Sequence, residues 1–248
     1  MRFRPLVALF LLAGPFGAHA TDLVVSAAAS LTDAFQAVGQ SYEARRPGVH
    51  VVFNFAASDV LLRQIVNGAP ADVFASADQT AMDKAVAAKA VEPATRRDFA
   101  RNQLVLIVPK DARVAVSSLD DLKAEAVKRV AYGDPASVPA GRYAKAGLES
   151  AGLWDAVSVK GVLAQNVRQA LDYVSRGEVD AGLVFATDAA IMRGRVNVVA
   201  VVPTPKPVTY PIAVVAHAVQ AQEAVTFQAF VQSAEGRKIL AGFGFQAP

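Results

Sequence analysis

The sequence is poor in the residues on which many enzymes and metal sites depend. Among 248 residues there is no cysteine, and there are only three histidines and one tryptophan. Without cysteine the chain forms neither disulfides nor thiolate metal sites, and a cysteine nucleophile is excluded. Beyond residue 20 only His50 and His217 remain, so a histidine metal site or a serine hydrolase has little material. The composition therefore disfavours most hydrolytic and metal-dependent chemistry.

A hydrophobic run long enough to cross a membrane is also missing. The first twenty residues, MRFRPLVALFLLAGPFGAHA, place Arg2 and Arg4 before an apolar run that is shorter than the roughly 20 residues of a membrane span. Ala18-His19-Ala20 has the small-x-small pattern of a signal-peptidase site. We predict that residues 1–20 are a cleaved export signal and that the remainder, with no cysteine for lipid attachment, is a soluble periplasmic protein.

An excess of positive charge is absent once this segment is set aside. Without Arg2 and Arg4 the formal net charge of +3 falls to about +1, and no block of lysine and arginine stands out. Nucleic acid is therefore not an expected partner.

The roughly 230 remaining residues suffice for one large domain or for two lobes of about 100 residues each.

Short apolar runs alternate with longer amphipathic runs, which is typical of an α/β fold. Strands are predicted in LVVSAAA, VHVVFNFAAS, ADVFASA, NQLVLIVPK, KRVAYG, VSVKGVL, AGLVF and IAVVAHA. Helices are predicted between them, including one capped by Ser118 in SSLDDLKAEA and one continuous helix in AVTFQAFVQSAEGRKILAGF at the end.

An internal echo suggests two similarly built lobes, since DVFASAD at 72–78 resembles LVFATDA at 183–189. We predict that residues 21–104 and 209–248 form lobe 1 and that residues 105–208 form lobe 2. Two crossing strands would join these open α/β lobes. Ligands of such sheets bind beyond the carboxyl ends of the strands, so the ligand cleft should lie between the lobes.

Four predicted strand-to-helix junctions lie at Ser30, Ser58, Ala140 and Val167, and the first two carry a hydroxyl group. The first backbone N–H groups of a helix lack intrahelical partners, and the helix dipole makes that end partly positive. Several such ends aimed at one point form an anion site without a cationic side chain. We expect Ser30 and Ser58 both to cap their helices and to donate to the anion.

Several stretches in order resemble the molybdate-binding proteins of bacterial molybdenum ABC transporters. An opening of the FAAASL type, here SAAASL, lies within Val25–Phe35, and the serine of FAASDVLLRQI and the stretch GAPADVFASADQ lie within Phe53–Gln79. They are followed by GDPASVPAGRYAKAGL at Gly133–Leu148 and YPIAVV within Tyr210–Val215. The resemblance implies a two-lobed periplasmic-binding-protein fold that closes on a tetrahedral oxyanion. It implies molybdate or tungstate as ligand, no cofactor, no enzymatic activity, and no metal except molybdenum within molybdate.

The resemblance also implies the ligand-binding residues. Ser30 and Ser58 would donate through hydroxyl and backbone N–H groups, and Ala140 and Val167 through backbone N–H groups. The family often has a tyrosine where VFATDA places Phe185. Either one donor is missing there, or Thr187 or a water replaces it.

The charged residues near these junctions are expected to lie outside the ligand shell. Arg142 and Arg168 lie in predicted first helical turns near the proposed site, where cations are unfavourable. They are interpreted as solvated surface residues, with steering of an anion toward the site as the alternative. Asp59 and Asp188 are read as first-turn acids that stabilise helix starts and face away from the anion.

Ligand choice follows from the absence of an acceptor in the predicted site. Molybdate, tungstate and sulfate carry no proton at neutral pH, whereas the proton of hydrogen phosphate would lack a partner.

A receptor for sulfate or another oxyanion is the first alternative. More distant alternatives are a ferric-ion receptor, a secreted serine hydrolase using Ser30 or Ser58, and a structural envelope protein. The expected partner is a membrane permease, and we expect a monomer with a hinge near residues 104–108 and 209–214.

Overall fold

The computed structural model describes residues 21–248, so the predicted export signal lies outside the described residues. The fold consists of two five-stranded sheets with flanking helices, as predicted for a two-lobed α/β protein. The strands are β1 (Thr21–Ala28), β2 (Val49–Ala56), β3 (Val73–Ala75), β4 (Arg97–Asn102), β5 (Leu104–Pro109), β6 (Val130–Gly133), β7 (Gly161–Ala164), β8 (Ala181–Phe185), β9 (Val196–Val202) and β10 (Val208–Val214).

The helices are α1 (Thr32–Arg45), α2 (Ser58–Val66), α3 (Gln79–Ala87), α4 (Pro139–Ser150), α5 (Trp154–Ser158), α6 (Val167–Ser175), α7 (Ala186–Ile191), α8 (Ala221–Val231) and α9 (Ala234–Gly242). None of the helices within residues 21–248 is long and apolar enough to cross a membrane.

The first sheet has the order β2-β1-β3-β10-β4, and the second has the order β7-β6-β8-β5-β9. We call the first sheet with its helices lobe 1 and the second sheet with its helices lobe 2. In each lobe the first three strands named pair in parallel, while the last two pair antiparallel. The parallel strands end at one edge of each sheet, and helices begin there.

The chain passes between the lobes twice, at Gln103 and through residues 203–207. The run NQLVLIVPK was predicted as a single strand, but Asn102 ends β4 in one sheet and Leu104 begins β5 in the other. Exact domain boundaries at 104/105 and 208/209 stay a prediction. The strand pairing places both crossings beside each other, because β4 neighbours β10 and β5 neighbours β9.

Two helix predictions were wrong for local reasons. Ser118 caps no α-helix, and only a 3-10 turn forms at Asp120–Lys123. The Asp121 carboxylate instead accepts hydrogen bonds from the backbone N–H groups of Ser117 and Ser118, at 2.8 and 2.9 Å, which closes a turn. Such side-chain bonds compete with helix formation.

The final helix, predicted to be continuous, is divided into α8 and α9. Ser233 is the N-cap of α9 and accepts a hydrogen bond from the backbone N–H of Gly236 at 3.1 Å. An added Cβ at Gly236 would lie 2.3 Å from the Phe230 carbonyl oxygen. This close approach lets α9 turn back against the end of α8.

Three further elements were not predicted. They are β4, the short helix α5 and β9. In addition, β10 begins inside the proline-rich stretch and ends at Val214, earlier than the predicted strand IAVVAHA. Its register with β4 shifts at Tyr210 and Pro211, which is where a proline can be accommodated in a sheet.

Candidate functional site

A small cavity lies where helices from both lobes begin. Its volume is about 10 Å³, close to the smallest space that holds a water molecule. It is lined by Ala28, Ala29, Ser30, Ala56, Ala57, Ser58 and Ala77 of lobe 1 and by Val138, Pro139, Ala140, Asn166, Val167 and Phe185 of lobe 2. The structure therefore brings together Ser30, Ser58, Ala140, Val167 and Phe185, and no lining residue carries a formal charge.

Ser30 lies in a 3-10 turn between β1 and α1 and is almost completely buried. The prediction that it caps a helix was wrong, because Ala28 and Leu31 occupy the cap positions and neither cap has a side-chain hydrogen bond. The Ser30 hydroxyl instead lies 3.0 Å from the Tyr210 hydroxyl. Its environment is thus set by a residue of β10.

Ser58 is the first residue of α2 and is fully buried. It does not cap the helix either, since the N-cap is Ala57. Its Oγ accepts a hydrogen bond from the backbone N–H of Ala77 at 3.1 Å. Because the Ser58 oxygen receives this bond, the hydroxyl hydrogen is left for another acceptor.

In lobe 2 the corresponding positions are helix starts without reactive side chains. Pro139 occupies the first turn of α4 after the N-cap Val138, and Ala140 follows. The N-cap of α6 is Asn166, whose side chain accepts a hydrogen bond from the backbone N–H of Gln169, and Val167 begins the helix. A proline at this position and an asparagine cap are typical of helix starts. The backbone N–H groups beside them are the available donors.

The start of α4 is held closely against its own sheet. A Cβ added at Gly141 would lie 1.9 Å from the Gly133 carbonyl oxygen at the end of β6. Since the oxygen belongs to the backbone and the position of a Cβ is fixed by its own backbone, no side-chain rotation could relieve this clash. The glycine therefore permits the close approach that positions the start of α4, with Ala140, beside the cavity.

Phe185 ends β8 and lines the cavity, with its ring centroid 5.8 Å from that of Tyr210 and 6.2 Å from that of Tyr143. Thr187 does not line this cavity. Its Oγ1 accepts a hydrogen bond from Asn102 Nδ2 at 2.8 Å, and it borders a neighbouring small cavity that Ser30 also touches. Within this structure Thr187 therefore does not occupy the place of a substitute donor.

Sequence reasoning missed the buried polar residues behind the cavity. Asn102 Nδ2 donates to Thr187 Oγ1 and, at 3.2 Å, to the Tyr210 hydroxyl oxygen. Burial raises the pKa of the Tyr210 hydroxyl well above its ordinary value. Tyr210 lies in the YPIAVV stretch, which was the available sequence signal, but nothing in the pattern of the chain linked it to Ser30.

Arg142 joins the lobes at one side of the cavity. Its Nη2 donates to Asp59 Oδ2 and its Nε to Asp78 Oδ2, both at 2.7 Å. Lys84 Nζ also contacts Asp59, at 2.5 Å. The Arg142 side chain is only 19% exposed, so the prediction of a solvated surface arginine was wrong.

Arg168 makes a comparable connection on another side. Its Nε donates to Asp188 Oδ1 at 2.5 Å within lobe 2, and its Nη2 lies 2.7 Å from Asp33 Oδ2 of lobe 1. Burial raises the pKa of Asp188 to about 6, while the Arg168 guanidinium acts in the opposite direction. The side chain of Arg168 is 23% exposed, so it too is not a solvated surface residue.

Asp59 and Asp188 do lie in first helical turns, as expected. They are nevertheless buried and engaged with the two arginines, which sequence reasoning did not foresee. The acids keep the positive charge of each arginine paired rather than directed at the cavity. Across residues 21–248 there is no group of three or more histidine, aspartate or glutamate side chains that could hold a metal ion.

Residues 23–246 match the family described as bacterial extracellular solute-binding proteins. The molybdate-binding protein ModA of Escherichia coli is 45% identical over 213 residues, which cover 83% of this chain and 82% of the relative. A solved substrate-binding domain of a putative molybdenum ABC transporter from Clostridium difficile is 35% identical, with a TM-score of 0.70, and covers 92% of this chain and 99% of that one.

The sulfate-binding protein SubI of Mycobacterium tuberculosis has a TM-score of 0.78 but is only 21% identical, covering 92% of this chain and 87% of that chain. At this identity the likeness concerns the fold. The two lobes and the cleft between them are thus shared by proteins whose names refer to different tetrahedral oxyanions.

Proposed function

This chain belongs to the bacterial extracellular solute-binding proteins, and we propose that it captures molybdate, and also tungstate, for an ABC transporter permease. The family consists of binding proteins rather than enzymes, and no cofactor is implied. The proposal takes its ligand from the names of the relatives and from the chemistry of the cavity. The observation that carries it is a small cavity between the lobes, lined only by uncharged residues that include two serine hydroxyls, which must widen to admit an ion larger than water.

The proposed ligand shell consists of neutral donors. Ser30 and Ser58 contribute hydroxyl and backbone N–H groups from lobe 1, and Ala140 and Val167 contribute backbone N–H groups from lobe 2. Hydrogen bonds to a charged group are worth roughly 1.5–3 kcal/mol each, and helix N-termini favour negative charge. Several such donors can therefore replace the hydrogen bonds to water that a small dianion loses on binding.

The same shell disfavours an oxyanion that carries a proton. The lining offers no carboxylate or imidazole that could accept the hydrogen of hydrogen phosphate. An unpaired donor in a buried site costs roughly 1–3 kcal/mol. Phosphate should therefore bind less tightly than a fully deprotonated ion of similar shape.

Binding would involve closure of the two lobes. Arg142 and Arg168 each reach from lobe 2 to acids of lobe 1, so these ion pairs form only when the lobes are together. We place the hinge at the crossings, at Gln103 and residues 203–207, next to the predicted ranges 104–108 and 209–214. The closed form would dock on the permease as a monomer, after export of residues 21–248 to the periplasm and removal of residues 1–20.

Sulfate is the second candidate ligand, because it has the charge and tetrahedral shape of molybdate and the cavity volume is small. Charge and proton content do not separate these two ions. The radius of the cavity around the bound ion must separate them, so their relative affinities test the assignment directly.

The test is isothermal titration of residues 21–248, stripped of bound ligand by unfolding and refolding, with molybdate, tungstate, sulfate and phosphate in turn. A five-atom ligand at a ceiling of about −1.5 kcal/mol per atom gives a dissociation constant near a few micromolar, and charge-assisted bonds favour tighter binding. We expect molybdate and tungstate to bind in this range or more tightly, and sulfate at least about a hundredfold more weakly.

Equal binding of sulfate would contradict the assigned ligand and leave an oxyanion receptor. Absence of heat with all four ions, checked by their failure to raise the melting temperature, would contradict the oxyanion proposal as a whole.

A further inference from the structure

The hydroxyl of Ser30 is connected to a short chain of buried side chains that ends at Asn102. The chain runs from the Asn102 amide to the Tyr210 hydroxyl at 3.2 Å and from there to the Ser30 hydroxyl at 3.0 Å. All three side chains are buried, and Tyr210 is fully inaccessible. The direction of these hydrogen bonds decides whether Ser30 presents a hydrogen or a lone pair to the cavity.

The orientation of the Asn102 amide is determined by its neighbours. Its Oδ1 accepts a hydrogen bond from the backbone N–H of Gln103 at 2.9 Å, so the opposite side of the amide must be the NH₂ group. The two hydrogens of that group are directed at Thr187 Oγ1 and at the Tyr210 oxygen. Asn102 is therefore a donor toward Tyr210 and cannot accept from it.

The Tyr210 hydroxyl has one hydrogen, and its oxygen already receives a bond from Asn102. Among residues 21–248, Ser30 is its other hydrogen-bond partner. Either hydroxyl could be the donor at this distance, but only donation by Tyr210 gives its buried hydrogen an acceptor, so that hydrogen is assigned to Ser30 Oγ. Burial raises the pKa of Tyr210, which keeps that hydrogen in place at physiological pH. Ser30 Oγ thus accepts from Tyr210, and its own hydrogen remains free for a ligand.

Ser58 is constrained in the same way by a different group. Its Oγ accepts the backbone N–H of Ala77, a donor that cannot reverse its role. Both serines that line the cavity therefore receive a hydrogen bond from the protein side. Each is left to donate toward the cavity.

We propose that Asn102 and Tyr210 are positioning residues that hold Ser30 as a hydrogen-bond donor, so that the site selects fully deprotonated oxyanions over protonated ones. This inference rests on the proposed function and concerns the same site. Without Tyr210, Ser30 Oγ could turn and accept the hydrogen of a ligand such as hydrogen phosphate. The geometry assigns Tyr210 an effect on selectivity as well as on affinity.

The experiment compares Tyr210→Phe, Ser30→Ala and the double variant by titration with molybdate and with hydrogen phosphate at slightly alkaline pH. We expect Tyr210→Phe to weaken molybdate binding about fivefold and to lower the preference for molybdate over hydrogen phosphate about tenfold. In the Ser30→Ala background the same change should alter neither value by more than about twofold, because Tyr210 acts through Ser30.

Tyr143→Phe is the matched control. Tyr143 packs against the same Phe185 ring, but its hydroxyl donates to the Pro207 carbonyl oxygen rather than to a serine of the cavity. This variant should leave the preference for molybdate over hydrogen phosphate unchanged, and this preference is the value compared, because Pro207 lies in the proposed hinge. Melting temperatures of all variants establish that they fold, and Asn102→Leu repeats the test one bond further away should Tyr210→Phe unfold.

An unchanged preference for molybdate in both Tyr210→Phe and Asn102→Leu would overturn the inference while leaving the oxyanion receptor intact. Equal effects of Tyr210→Phe with and without Ser30 would also overturn it, since they would indicate a structural role. Failure of the unaltered protein to bind any oxyanion would instead remove the proposed function, and this inference with it.

Discussion

The two lobes face the same cavity but contribute different chemistry to it. Lobe 1 supplies the hydroxyl-bearing residues Ser30 and Ser58, whereas lobe 2 supplies the helix starts at Ala140 and Val167, which have apolar side chains. The charges flanking the cavity are divided as well, with Arg142 and Arg168 on lobe 2. Their acidic partners across the cleft all belong to lobe 1.

The two kinds of group are oriented in different ways. The proposed side-chain donors of lobe 1 can be oriented by other side chains, as we propose for Tyr210 and Ser30, while the proposed backbone donors of lobe 2 are oriented by the position of a whole helix. Substitutions should therefore act on lobe 1 through single hydrogen bonds and on lobe 2 through packing. The ion pairs between the lobes depend on both.

The largest effect is expected from Arg142→Met, which removes the cation shared by Asp59 and Asp78. Breaking a buried ion pair by removing one partner costs about 3–5 kcal/mol, and here the cost falls on the closed form, because the acids lie across the cleft. Molybdate affinity should fall by at least about a hundredfold, measured by titration calorimetry.

Lys145→Met is the control for this experiment, since it removes an exposed pair with Glu149 on the same helix and should have little effect. The triple variant Arg142→Met, Asp59→Asn, Asp78→Asn should recover part of the lost affinity. Full affinity of Arg142→Met would show that lobe closure does not depend on this ion pair.

Ser58→Ala tests the side-chain donors of lobe 1. It removes one hydroxyl from the cavity and leaves the Ala77 backbone N–H without its acceptor. Loss of a hydrogen bond to a charged ligand should weaken molybdate binding roughly 10- to 100-fold. Calorimetry together with a melting curve in the absence of ligand distinguishes the loss of a donor from unfolding. Unchanged affinity would remove Ser58 from the proposed ligand shell.

Gly141→Ala tests the backbone donors of lobe 2 in the corresponding way. The added Cβ cannot be accommodated 1.9 Å from the Gly133 carbonyl oxygen, so α4 must shift away from β6. We expect a loss of about 1–3 kcal/mol in the free energy of unfolding and about a tenfold loss of molybdate affinity, if the Ala140 N–H moves away from the ligand.

Gly194→Ala in the same lobe is the comparison, because a Cβ there meets nothing within 4 Å. It should leave both the free energy of unfolding and the affinity close to their original values. A destabilised Gly141→Ala protein with normal affinity would show that α4 does not hold the ligand.

Phe185→Tyr should have the smallest effect and sharpens the contrast between the lobes by giving lobe 2 a side-chain hydroxyl. If the shell lacks one donor, this variant should bind molybdate up to about tenfold more tightly, less the cost of burying the added hydroxyl. Calorimetry against the unaltered protein measures the gain. No gain at all would mean that the existing donors already satisfy the ion.

Much of the fold could be predicted because strand and helix periodicity is local. The alternation of apolar runs located most strands. The residues that the sequence placed at four strand-to-helix junctions, Ser30, Ser58, Ala140 and Val167, line one cavity in the structure. Failures occurred where a single side chain decides a boundary. Ser233 divides the last helix, and Asp121 closes a turn where a helix was expected.

The roles of individual groups at the site were less predictable. Ser30 and Ser58 were expected to cap helices, but their oxygens interact with Tyr210 and with the Ala77 backbone. Arg142 looked like a surface residue because sequence position gives no sign that two acids will approach it from the other lobe. Thr187 was a candidate donor, yet Asn102 engages it outside the cavity.

By itself the sequence determined the chemical inventory and the local pattern. It has no cysteine, its apolar runs alternate as in an α/β protein, and Ser30 and Ser58 stand at strand-to-helix junctions. Tertiary structure alone decided which groups meet. The bond between Ser30 and Tyr210 spans 180 positions, and that between Asn102 and Tyr210 spans 108. Hydrogen-bond direction and charge pairing depend on such distant partners, whereas helix and strand patterns depend on neighbours in the chain.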